Sequence, residues 1–109
     1  MIAEIGYLMA LPGKEDAFRD ALREARSVLS RATGYRGSVF YQSIEDPRRF
    51  CLTVWWDSIE AHMKIFREGP LFPEWRKILN PLMDVEAIKP GISFSHYKTI
   101  AGNEMPPEG

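Results

Sequence analysis

A chain of 109 residues with 45% hydrophobic residues holds one domain with a real core, and that composition excludes a disordered chain. Fourteen Lys and Arg against 15 Asp and Glu leave a net charge of −1, which excludes bulk electrostatic attraction to nucleic acid or an anionic membrane. The single cysteine, Cys51, excludes an internal disulfide, and no apolar run nears a membrane span. With no basic leader ahead of Glu4, the sequence reads as that of a cytoplasmic protein.

Residues 2–11 alternate as a first strand. Ile5, Tyr7, Met9 and Leu11 share one side, and Glu4, Gly6, Leu8 and Ala10 the other. The first set is bulkier and is expected to face the helices. Gly6 thins the opposite face, where another backbone or a partner can approach. Pro12-Gly13 ends the strand. Residues 14–32 then carry a helical stripe of Phe18, Ala21, Leu22, Ala25, Val28, Leu29 and Ala32, with a charged, solvated face around it. Gly34 stops this helix.

Residues 37–45 and 49–56 read as two strands of a hairpin turned at Asp46-Pro47. The second of them is apolar on both faces, so it belongs in the middle of a sheet. Cys51 within it is expected to be a packing residue. Trp55 and Trp56 point opposite ways, one towards the helices and one towards a partner. Asp57 and Glu60 then give an N-terminal helix signal, and Ile59, His62, Met63 and Phe66 follow on one face. Gly69-Pro70 breaks that helix, and Leu71, Phe72, Trp75, Ile78, Leu79 and Leu82 carry a second, short one. Asn80-Pro81 is another break. Residues 83–88 fit a short strand or an ordered loop, residues 89–91 a turn, and residues 92–100 a last strand. Residues 101–109 are expected to be a flexible tail beyond a domain of residues 1–100.

The order is β-α-β-β-α-β with the second helix split, the ferredoxin-like α+β arrangement with an antiparallel sheet. Both helices then cover one sheet face. The other face keeps apolar residues that a monomer would leave wet, so a homodimer through the sheet is expected.

His62 is the acid–base candidate, because imidazole titrates near working pH. Tyr7 is a second catalytic candidate, with a hydroxyl for a phenolic or enolic oxygen. Met9, Phe66, Phe72 and Trp75 are the candidate walls of an apolar slot between helices and sheet. The plain alternative for each is core packing. No Gly-rich phosphate loop, metal-ligand spacing or nucleophile elbow is present, and no flavin or nicotinamide pattern is legible.

Several stretches together resemble a known family. They are Pro12–Glu15, Ser30-Arg31, Thr33–Tyr35, Glu45–Pro47, Trp56–Ala61, Phe72–Trp75 and His96-Tyr97. The pattern is similar to that of the antibiotic biosynthesis monooxygenase domain, of the dimeric α/β-barrel superfamily, over about residues 1–100. The resemblance implies a dimeric α/β barrel. It also implies a monooxygenase without cofactor that oxidises a small aromatic, quinol or polyketide-type substrate through its carbanion and dioxygen. The superfamily also contains isomerases, cyclases and proteins without known activity, so a cofactor-free isomerase or a non-catalytic binding dimer stays open. The positions that form the site in the haem-degrading branch fall here on Ile5, Ile65 and either Arg76 or Trp75, which argues against haem oxygenation. The small-quinol branch places a histidine where Ile65 stands, one turn after His62.

Overall fold

The computed structural model of the chain describes residues 1–89 and 91–102. The expected tail thus lies largely outside the described residues, as does Pro90 of the expected turn. The elements run β1 (Ile2–Met9), α1 (Glu15–Leu29), β2 (Tyr35–Gln42), β3 (Arg49–Trp56), a π-helix (Ala61–Phe66), α2 (Leu71–Leu79), a 3-10 turn (Asn80–Leu82) and β4 (Ser93–Tyr97). The strands form one antiparallel sheet in the order β2-β3-β1-β4. The two strands with apolar residues on both sides are therefore the central pair, and the fold is ferredoxin-like α+β.

Register fixes which side chains share a face. Glu4 lies opposite Val54 on β3 and His96 on β4, Gly6 opposite Leu52 and Phe94, and Leu8 opposite Phe50. Glu4, Leu8, Ala10, Phe50, Leu52, Val54 and Trp56 are all buried under the helices. The expected sidedness of β1 is thus reversed. Tyr7 is 41% exposed, and Ile5 and Met9 are half-buried on the open side of the sheet. Bulk misled the assignment for a physical reason. The helix side needs small residues, because Ile92 and Phe94 cross over Gly6. A Cβ added there would lie 3.1 Å from Ile92 Cδ1 and 3.3 Å from Phe94 Cβ. Cys51 shares the open side and is half-buried, so it is not a core residue of this chain. Trp56 turns inward and is fully buried, whereas Trp55 stays on the open side.

The connection after β3 decides where the site forms. Ser58 Oγ, rather than Asp57, caps the helix by accepting the Ala61 N–H at 3.1 Å, and Asp57 pairs with Arg36 instead. Gly34 packs against this turn. It sits at φ +86°, and a Cβ there would come within 2.6 Å of the Ala61 Cβ. The next turn is wound as a π-helix, in which the Arg67 N–H bonds back five residues to the His62 carbonyl at 3.0 Å. That widening turns Ala61, His62 and Phe66 inward and leaves Ile59 exposed. The expected face held His62 and Phe66 correctly and Ile59 wrongly. Gly69 ends the segment, where a Cβ would collide with the Ile65 carbonyl oxygen at 2.3 Å.

Residues 83–88 form a loop. Met83 bridges to Ala10, and the Asp84 carboxylate accepts the N–H groups of Glu86 and Ala87 at 3.2 and 3.1 Å. Among the described residues, no helix is long and apolar enough to cross a membrane.

Candidate functional site

Three elements bring ionisable groups together in a part of the molecule that is otherwise apolar. β1 supplies Glu4, the π-helix supplies His62, and β4 supplies His96. Glu4 and His62 are only 5% and 2% exposed. The Trp56 indole N–H donates to Glu4 Oε1 at 3.1 Å, and His62 Nε2 faces the same oxygen at 3.4 Å. On the other side of the ring, His62 Nδ1 meets His96 Nε2 at 2.8 Å. With Glu4 ionised, donors face acceptors along the whole line. Trp56 donates to the carboxylate, His62 Nε2 faces it in a longer charge contact, and with both rings protonated at Nε2 His96 donates to His62 Nδ1. The groups thus form one line of polar contacts from the buried carboxylate to the half-buried His96 on the edge strand.

The line is held by stacking. The His62 ring lies on Trp56 with centroids 5.2 Å apart and planes 16° apart, and Phe94 meets it edge-on at 5.3 Å. This environment sets the protonation states. Burial pushes the Glu4 carboxyl up to about 7, despite the Trp56 hydrogen bond and the positive charge of Arg67. Burial, together with His96 and Arg67, lowers His62 to about 3, so its ring is neutral at working pH. His96 is lowered by burial and by Arg67. The group poised to exchange a proton near neutrality is therefore Glu4, and His62 is too weak a base for that role.

A cleft runs beside this line, lined by Glu4, His62, Phe66, Arg67, Phe72, Trp75 and Ile92 among others, and it encloses about 10 Å³. That is room for about one water-sized molecule. Phe72 and Trp75 stack at 6.1 Å, and Phe66 meets both edge-on. Phe72 and Arg67 are half-buried at the rim. The Arg67 guanidinium lies over the rings of Phe72 and Phe94, at 4.6 and 4.9 Å from their centroids. Among the described residues, no set of three or more His, Cys, Asp or Glu is arranged to hold a metal ion.

Comparison with known proteins matches residues 1–78 to the family described as antibiotic biosynthesis monooxygenase. The chain belongs to that family. A Bacillus subtilis protein, the uncharacterised YczJ, is 30% identical over 80 residues, which are 73% of this chain and 84% of that one. A Bordetella bronchiseptica crystal structure carrying the same family name is 31% identical. It covers 92% of this chain and 97% of its own, with a TM-score of 0.82. SnoaB of Streptomyces nogalater, a cofactor-independent oxygenase, shares the fold at a TM-score of 0.72 over 97% of both chains, but only 11% identity.

Within this antibiotic biosynthesis monooxygenase fold, the expected site residues divide. The structure brings together His62, Phe66, Phe72 and Trp75. It leaves Tyr7 and Met9 on the far side of the sheet, where the Arg49 guanidinium lies 5.4 Å from the Tyr7 ring centroid. Glu4, His96 and Arg67 were missed. A carboxylate and an imidazole alternating with apolar residues on two strands are the signal that pointed to them. The reversed face of β1 hid it.

Proposed function

We propose that the protein is a cofactor-independent monooxygenase-like enzyme that oxidises a small aromatic, quinol or polyketide-type substrate in the cleft beside Glu4. The line of polar contacts Glu4–His62–His96 beside an aromatic-walled cleft is the observation that carries this reading. Glu4 is the general base. It takes a proton from an acidic phenol or ring methylene, and the electron pair stays on the substrate. His62 is a positioning residue that holds the carboxylate and connects it to His96 and solvent. The substrate carbanion then reduces dioxygen. One oxygen atom becomes the new carbonyl, and the other leaves as water with the two hydrogens of the methylene. Apolar walls keep water from quenching the carbanion. A ring enters by displacement of the Phe72 and Arg67 side chains at the rim, because the closed cleft admits little more than one water.

Tyr7 and Met9 have no part in this site. Their face is proposed as the homodimer surface. The small enclosed volume favours a second reading, a non-catalytic dimer that binds a small molecule, and a cofactor-free isomerase or cyclase would use the same base. Oxygen uptake with a panel of hydroquinones and anthrones separates them. Uptake by the native protein should fall on the order of 10²–10⁴-fold in Glu4→Gln and less in His62→Gln. No uptake with any member of the panel, or full uptake by Glu4→Gln, contradicts the proposal.

A further inference from the structure

Among the described residues, two side-chain donors of cleft-lining residues have no hydrogen-bond acceptor. The Trp75 indole N–H is buried and, among the described residues, has no hydrogen-bond partner. A buried donor without a partner is costly to leave unmade, and with the Trp75 ring in the cleft wall a ligand atom can supply the acceptor. The Arg67 guanidinium lines the same cleft. It is held by the faces of Phe72 and Phe94, and among the described residues it makes no hydrogen bond or ion pair. The neighbouring Arg76, by contrast, is engaged, since its Nε donates to Asn80 Oδ1 at 3.0 Å.

We infer that Trp75 and Arg67 are the donor pair for an oxyanion, and that the cleft selects aromatic compounds whose ring oxygen ionises on binding. The inference rests on reading the cleft as the substrate site, and it adds two further residues to that site. The proton step balances. The phenolic O–H breaks, the O–H of Glu4 forms, and the pair left on the ring oxygen is held by the indole N–H and the guanidinium. Donors already in place at the developing charge need no reorganisation during the reaction. The charged or titratable groups around that oxygen are Glu4 on β1, His62 on the π-helix, His96 on β4 and Arg67 at the rim, with Arg76 over the Phe72 ring. His62 is neutral and Glu4 becomes neutral as it takes the proton, which leaves the arginines as the net charge facing the oxyanion.

The test uses 4-nitrophenol, whose ionised form absorbs visible light. The native protein should bind it and ionise it at a pH about one unit lower than in free solution, a tenfold preference for the phenolate. Trp75→Phe keeps an aromatic ring and removes only the N–H, and Arg67→Met keeps the aliphatic stem and removes the charge. Each should return the ionisation towards that of the free probe. Glu4→Gln leaves both donors and removes the competing carboxylate, so it should hold the phenolate more tightly than the native protein. No binding, unshifted ionisation in the native protein, or a shift that survives both donor substitutions would overturn the inference. Failure here with an inactive Glu4→Gln leaves the proton-transfer reading standing. A normal shift with a fully active Glu4→Gln does the opposite.

Discussion

Glu4 is the residue at the centre of the proposed site, and an acidic side chain in the middle of a central strand is costly unless its charge is controlled. Here Trp56 and His62 hold it, yet burial still raises its carboxyl to about 7. The effect on stability has a definite sign. Between about pH 4.5 and 7 the folded state keeps a proton on Glu4 that the unfolded chain has lost, so stability falls as pH rises through that window. His62 acts oppositely. It stays neutral when folded down to about 3, so between that value and 6.5 stability rises with pH. The two trends offset one another between pH 4.5 and 6.5. Glu4→Gln removes only the first. Urea unfolding from pH 4 to 8 should therefore show Glu4→Gln gaining on the native protein by on the order of 3 kcal/mol across that range. A constant difference between the two would mean that Glu4 titrates normally.

The elements differ in how far their residues announce them. β3 was expected over residues 49–56 and occupies Arg49–Trp56, because a two-sided apolar run between turn signals has one reading. The stripe of α1 was equally legible, from Phe18 to Leu29. The middle position of β1 and β3 followed from their apolar character on both sides. The sidedness of β1 did not follow, since alternation gives two faces and does not say which one lies under helices. Only tertiary packing decides that, through the fit of Ile92 and Phe94 over Gly6. The π-helix was likewise illegible, because its period is a local departure from the α-helical one. It matters to the site: the widened turn brings His62 and Phe66 inward together and sets Arg67, one residue on, in the cleft wall. His62, Phe66, Phe72 and Trp75 could be picked out from helical spacing. Glu4 and His96 could be placed together only by the pairing of β1 with β4.

At the scale of the whole molecule, the sheet has one covered face and one open one. Ile5, Tyr7, Met9, Val39, Tyr41, Cys51, Trp55 and Tyr97 share the open side by register, and Tyr41 and Tyr97 are 54% and 52% exposed. An apolar and aromatic surface of that kind is rarely left to solvent, and a second copy of the chain covers it most simply. Light scattering should give twice the 12.5 kDa of one chain, and Trp55→Asp should give the monomer. A monomeric native protein would contradict the dimer. Dimerisation through this face would leave the cleft on the helix side intact, so under the proposed function each protomer would depend on its own Glu4. That dependence has one direct measurement, the pH titration of the Glu4 side-chain carboxyl by carbon-13 NMR, assigned with Glu4→Gln. The inflection should fall near 7, well above the other carboxyl groups. An inflection near the usual 4.5 would leave the protein without its proposed base.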